Sequence, residues 1–311
     1  MKKEIRRWLE ENQDELSLSN FSLDRLAPGE SNETFRAYDG DRELIVRTSK
    51  EDSEDRIAHE RDVLRFLEQQ NIDNVPRLVH YEEDTSLGQA VIVESSVGKE
   101  DLDIEEATPE QVENLAEMIA QFHSISVEEY NQFFGTEHPS SVTLEKELEL
   151  DFEKYSKKPY EDYRKMAEDV DQRVEEFYEK QKELIKEAAE IDVEVTWTFV
   201  NGDIMNNVRQ EKDEVYIVDW ELAGVGVPYI ELIEFFTSGK ISEEKQDALL
   251  EEYEKRYELP EDWRESAELI EKFHGFNSMI WAAKKKEQRE EPKYNKMFEQ
   301  RMAQLEQMWR E

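Results

Sequence analysis

Two aspartates and two asparagines in one stretch, WTFVNGDIMNNVRQEKDEVYIVDWELAG (Trp197–Gly224), could do chemistry together. Asp203 follows the apolar run WTFV, Asn206 and Asn207 come next in a short loop, and two strand-like pieces then turn at Glu211–Glu214 before Asp219. A hairpin of this kind can bring Asp203, an asparagine amide oxygen and Asp219 to one end of a small sheet. Phosphoryl transfer uses such a set. A carboxylate accepts or orients the attacking hydroxyl, and hard oxygen ligands hold Mg²⁺ against nucleotide phosphates. In an acidic chain some carboxylates fall beside turns by chance, but here each aspartate sits in an apolar frame, which favours the chemical reading.

The elements that must position these residues change character along the chain. Residues 1–18 pattern as an amphipathic helix with Ile5, Trp8, Leu9 and Leu16 on its apolar face. Between Phe21 and Val97 the pattern becomes short strands, NETFRAYDG and RELIVRTS around a turn at Asp39 and Gly40, then VPRLVHY and QAVIVESSV. Within this region Ile57, Val63, Leu64 and Leu67 recur at helical spacing. After Gly98 the chain is mostly helical. Thr108 and Pro109 start one helix, and residues 144–190 read as one or two long helices whose aromatic positions form a core stripe. The layout is a β-rich N-terminal lobe and a helical C-terminal lobe joined near Glu94–Gly98.

Composition narrows the partners. With 311 residues the chain can form one large domain or two lobes. It has no cysteine, which excludes disulfides, thiolate catalysis and cysteine-based zinc or iron–sulfur sites, while His–carboxylate metal sites stay open. The first residues carry charges throughout, and no segment approaches bilayer-spanning length, so a soluble, cytoplasmic protein is expected. Asp plus Glu outnumber Lys plus Arg by 78 to 40, a formal charge of −38. That charge disfavours contact with nucleic-acid phosphates or anionic membranes and leaves neutral, cationic or metal-bridged partners. The acid is spread along a chain whose apolar patterning survives, which suggests a folded protein adapted to high salt, with an ordinary acidic protein as the alternative.

The same hairpin resembles the aminoglycoside phosphotransferase and choline kinase-like small-molecule kinases, relatives of the protein kinases. The matching residues are Gly202, Asp203, Asn207, Asp219, Trp220, Glu221, Ala223 and Gly224, with Gly226, Pro228 and Leu232 continuing the pattern. The resemblance implies an α+β, bilobal protein-kinase-like fold, with residues 1–97 as the nucleotide lobe and 98–311 as the helical lobe that reads the acceptor. It implies ATP or GTP with Mg²⁺ as cofactors and a small-molecule hydroxyl as acceptor. Asp203 would be the catalytic carboxylate, and Asn207 with Asp219 would bind the metal. In the N-terminal lobe APGESNETFRAY fits the nucleotide loop, with Ser31, Asn32 and Glu33 at the phosphates; LIVRTS places Arg47 as the phosphate-binding cation. HERDVLRFL places Glu60 as its ion-pair partner, and VIVESSVGKEDL puts the adenine-contacting hinge near Glu94 to Ser96. His123, in LAEMIAQFHSI, is expected to be structural. The match covers about residues 20–285, with 127–195 alike in helical character only. Two departures stand out: Asn201 replaces the family histidine before Gly-Asp, and the loop from Asp203 to Asn207 is one residue short. They leave the metal ligand open between Asn206 and Asn207, with Asn207 preferred because it precedes apolar Val208. They also raise the alternative of a pseudokinase that senses nucleotide or binds a partner. The sequence gives neither the acceptor nor the oligomeric state.

Overall fold

The computed structural model describes residues 1–26, 32–40, 42–49, 54–191, 193–237, 241–261, 263–289 and 291–310. Along the chain it runs α1 (Lys2–Glu11), α2 (Gln13–Leu16), β1 (Ser22–Arg25), β2 (Asn32–Tyr38), β3 (Glu43–Ser49), α3 (Glu54–Gln69), β4 (Leu78–Glu82) and β5 (Val91–Ser95). Then come β6 (Glu100–Asp101), α4 (Pro109–His123), α5 (Val127–Phe134), β7 (Ser141–Thr143), α6 (Leu144–Asp151), a π-helical turn (Phe152–Lys157), α7 (Lys158–Met166) and α8 (Gln172–Ile191). The last part holds β8 (Glu194–Thr196), β9 (Thr198–Val200), a 3₁₀ turn (Ile204–Asn206), β10 (Val208–Glu211), β11 (Glu214–Ile217) and β12 (Gly224–Gly226). It closes with α9 (Tyr229–Thr237), α10 (Glu243–Glu254), α11 (Trp263–Gln288) and α12 (Pro292–Met308). No helix among the described residues is long and apolar enough to cross a membrane.

Contacts group the chain into two compact units, residues 1–138, 198–226 and 238–257 in the first, and 139–197, 227–237 and 258–311 in the second. The first unit holds a five-stranded antiparallel sheet in the order β1-β2-β3-β5-β4. Alternation puts Phe35, Ala37, Leu44, Val46, Val91 and Val93 on one face, where they pack with Ile5, Trp8, Leu9 and Leu16. Residues 1–18 are therefore a lid on the sheet, but in two pieces. The chain leaves the helical path at Asn12, whose side-chain amide donates to the Trp8 carbonyl at 2.9 Å. Register sets the other face: Arg47 pairs with Ile92 and Ile45 with Glu94, so Arg47 and Glu94 are diagonal neighbours on the side away from α1.

Residues 198–224 belong to the same unit. β10 and β11 form a hairpin, β6 adds to β10, and β9 pairs with β12, so residues 201–207 and 218–223 leave neighbouring strand ends. An aromatic core lies beneath: Phe199 stacks parallel to Trp220, and Phe66 and Phe122 meet Phe199 edge-on. Helices α4 and α5 begin as their sequences dictate, with reciprocal capping boxes at Thr108/Gln111 and Ser126/Glu129. In the second unit Tyr160, Tyr163, Phe177, Phe276, Met279 and Phe298 form a helical core. The expected long helices of 144–190 are three, separated by the π-helical turn and by a break between Met166 and Gln172.

Candidate active site

The arrangement starts from strand alternation. Arg47 on β3 is turned to the inner face of the sheet, where it is only 5% exposed, and a guanidinium at that depth must be met by carboxylates. Three meet it. Nη2 donates to Glu60 Oε1 of α3 and, at 3.1 Å, to Glu94 Oε2 of β5; Nη1 donates to Asp219 Oδ1 at 3.2 Å. Glu60 also accepts from the Trp220 backbone N–H at 3.0 Å, which ties α3 to the end of the hairpin. Glu60 Oε2 and Arg47 Nε are buried without a hydrogen-bond partner among the described residues.

One cation against three acids shapes the electrostatics. Burial alone would drive Arg47 toward neutrality, but the three carboxylates outweigh it and hold its pKa well above the ordinary value. Burial raises the Glu60 carboxyl to about 8, with Glu94 and Asp219 pushing the same way and Arg47 opposing. Glu94 is raised by burial and by Asp219, again against Arg47. Asp219 is the outlet of this cluster, with a side chain 41% exposed. Its backbone is left-handed, φ +59°, a conformation that costs a non-glycine residue about 1 kcal/mol or more and is tolerated where the surroundings enforce it.

The loop before the hairpin is fastened to that strained residue by Asn201. This side chain is fully buried; its amide donates to the Asp219 carbonyl at 3.3 Å while its Oδ1 accepts from the Asp203 backbone N–H at 3.2 Å. Gly202 then turns the chain at φ +88°, and a Cβ there would lie 2.7 Å from the Leu222 carbonyl oxygen, so glycine is required on both counts. The two asparagines part company. Asn206 is exposed and donates to Asp203 Oδ1 at 3.0 Å. Half-buried Asn207 donates to the Asp203 carbonyl at 2.8 Å, and its own carbonyl accepts from Val218 N–H at 2.9 Å, next to Asp219.

Of the residues expected from sequence, Arg47, Glu60, Glu94 and Asp219 form one ion cluster, and Asp203 and Asn207 are linked to it through Asn201 and Val218. Asn32 is brought in from the start of β2, its amide donating to Glu221 Oε2 at 2.9 Å. Glu33 pairs instead with Arg25. Ser96 stands apart: its hydroxyl donates to Glu43 Oε1 at 2.8 Å and its N–H to the Glu43 carbonyl at 3.2 Å. Ser31 lies outside the described residues. His123 is buried in the first unit against the Tyr253 hydroxyl at 2.9 Å. Sequence reasoning missed the Glu94 carboxylate, since it assigned that position to hinge backbone, and it matched Glu221 to the family pattern without a role, where the structure has it holding both Asn32 and Arg56. It also missed His59, whose Nε2 donates to the Ala223 carbonyl at 2.7 Å.

The donor set fits a hard divalent cation. Asp219 presents a solvent-reaching carboxylate, and Asn207, whose amide nitrogen is committed to the Asp203 carbonyl, has its amide oxygen left as an acceptor. Among the described residues no three His, Asp or Glu are grouped to hold a metal by themselves.

An N-terminal five-stranded sheet carrying a buried cation–carboxylate pair, followed by a loop and hairpin carrying Asp-x-x-x-Asn and Asp, is the architecture of a protein-kinase-like phosphotransferase. The chain belongs to the phosphotransferase enzyme family, whose sequence profile matches residues 22–269, and it is accordingly a small-molecule phosphotransferase acting on hydroxyl groups. No protein of curated function matches the chain. Solved structures share its bilobal fold over almost their full length. A choline/ethanolamine kinase family protein from Mesorhizobium loti is 16% identical, with 97% of this chain and 94% of that one covered at a TM-score of 0.66. A choline kinase from Streptococcus pneumoniae is 14% identical, with 98% and 99% covered at 0.65. The ADP-bound aminoglycoside phosphotransferase APH(2'')-Ib is 17% identical, with 97% and 98% covered at 0.67.

Proposed function

We propose that this phosphotransferase moves the γ-phosphoryl group of ATP or GTP to a hydroxyl of a small molecule, with Mg²⁺. The observation that carries this reading is Arg47, held at its inner end by Glu60 and Glu94 and directed at Asp219 through Nη1. A cation so placed is poised for phosphate. Asp203 orients the acceptor hydroxyl and takes its proton. Arg47 steadies phosphate charge, Asn32 approaches the phosphates from β2, and the hinge at Glu94–Ser96 borders the base. Asn207 and Asp219 would hold magnesium, which supplies neutralisation of the phosphate oxygens. Little covalent work falls to the protein, because the phosphoryl transition state is loose and the gain comes from positioning and fixed charge.

The functional division into a nucleotide lobe of residues 1–97 and an acceptor-reading lobe of 98–311 is part of the same proposal, as are a cytoplasmic location, where nucleoside triphosphates are held, and adaptation to high salt. No observation favours the pseudokinase reading, whose motives were Asn201 and the shortened loop from Asp203 to Asn207. Asn201 hydrogen-bonds both Asp203 and Asp219, and Asn207 of the shortened loop bonds the Asp203 carbonyl and Val218 N–H.

The test is calorimetric titration of Mg·ATP and Mg·GTP at ~2 M KCl, where surface charge is screened. Wild type is expected to bind, Asp219→Ala to lose binding, and Asp203→Ala to bind without turning over any acceptor. At 100 times Kd the bound protein gains about 2.7 kcal/mol of stability, readable as a melting shift. Folded wild type that gives no Mg²⁺-dependent response to either nucleotide sinks the proposal.

A further inference from the structure

Arg47 faces one carboxylate more than a phosphate-binding cation with a single helix partner needs. Glu94 is 5% exposed, lies on the strand beside Arg47, and shares Nη2 with Glu60. Both carboxylates draw on the same nitrogen, so Nη1 is the nitrogen left pointing outward, where it meets the half-exposed Asp219. Arginine can do this because its donors are spread over a rigid planar fork, whereas a lysine ammonium is a single point of charge on a flexible stem. A lysine at position 47 could satisfy the two buried acids only by withdrawing from the outward position, or reach outward only by leaving a buried acid without a cation.

We infer that Glu94 is a positioning residue that, together with Glu60, engages Nη2 and fixes Nη1 toward the nucleotide, and that its presence is why position 47 requires arginine. The half of this inference that concerns nucleotide rests on the function proposed above. The half that concerns the buried charges does not.

Four proteins decide it: wild type, Arg47→Lys, Glu94→Gln and the double variant, each followed by ligand-free melting temperature and by Mg·ATP dissociation constant. Glutamine keeps the shape of Glu94 and an acceptor oxygen but removes its charge. Arg47→Lys is expected to melt roughly 10 °C lower, since it leaves a buried acid without its cation, and to bind Mg·ATP more weakly by about tenfold or more. In the double variant Glu60 alone is matched by lysine, so at least half of the melting loss returns and affinity comes back to within about threefold of wild type. A double variant whose losses equal or exceed the sum of the single ones overturns the inference. Recovery of melting temperature without recovery of affinity also overturns it, because Glu94 would then be structural only. Should Arg47→Lys fail to fold, a folded double variant is itself the rescue, and an unfolded one is a refutation. Should wild type bind no nucleotide, the proposed function fails, and the melting temperatures alone decide whether Glu94 imposes arginine.

Discussion

Replacing Asn201 by alanine tests whether one buried amide couples the loop of Asp203 to the turn of Asp219. Asn201 is fully buried and makes two hydrogen bonds, 3.3 Å to the Asp219 carbonyl and 3.2 Å from the Asp203 N–H. Both are long, so each falls toward the low end of the usual range, about 0.5–1 kcal/mol. Loss of the amide volume in a filled interior adds on the order of 1 kcal/mol. The expected cost is therefore about 2–3 kcal/mol, or roughly 4–10 °C in melting temperature for a chain of this class of size. Urea unfolding at ~2 M KCl reads it directly, with the salt screening the surface charge. Turnover should fall by about tenfold or more, because a small misplacement of Asp203 against Asp219 is costly to a reaction that depends on positioning. Asn201→Asp separates the two bonds. It keeps the acceptor for Asp203 N–H but sets a carboxylate oxygen against the Asp219 carbonyl, so at neutral pH it should be worse than alanine. Its deficit should shrink as the pH falls and the buried aspartic acid gains a proton to donate. An alanine variant within about 0.5 kcal/mol of wild type, turning over normally, would refute the coupling.

Three further outcomes follow from the geometry. Gly202→Ala must place a Cβ 2.7 Å from the Leu222 carbonyl at φ +88°, so it should cost about 2 kcal/mol or more, read by urea unfolding; a neutral effect would mean the turn is free to rearrange. Glu147 is buried in the second unit, accepts from Trp197 Nε1 at 2.6 Å, and is raised to about 7 by burial and by Asp151, against opposing contributions from Trp197, His274 and Lys154. Because its folded pKa lies above the unfolded one, its contribution is fully present below the unfolded pKa and is lost as pH rises through about 7. Glu147→Gln should remove up to roughly 3 kcal/mol of that pH slope relative to wild type, and identical slopes in the two proteins would contradict the burial argument. Raising KCl from ~0.1 to ~2 M should raise the melting temperature steadily, since the Debye length shrinks from about 10 Å to about 3 Å already at 1 M. A flat response would set aside the high-salt reading of the −38 charge.

The parts of the site legible in sequence are those whose geometry is local. Asp203, an asparagine of the loop and Asp219 could be placed together because a hairpin with a tight turn leaves its two ends side by side, and the ladder Val208↔Ile217 is what that turn dictates. The break of the N-terminal helix at Asn12 and the π-helical turn at Phe152–Lys157 were not legible, since both satisfy the apolar spacing of an uninterrupted helix.

The Glu94 carboxylate was hidden for a different reason. Which residues of β5 face Arg47 depends on a register fixed across β3 and β5, with α3 and β4 intervening in the chain, and a slip of one residue would send Glu94 to the opposite face. The hydrophobic pattern contains the answer nonetheless. Val91 and Val93 are buried against α1, so Ile92 and Glu94 must point the other way, and the only acid on that face of the strand arrives where a lone buried guanidinium needs partners. A charged residue in the apolar phase of a core strand is thus to be read as a demand for a counter-ion, and Arg47, in the equivalent phase of the neighbouring strand, makes the same demand with opposite sign.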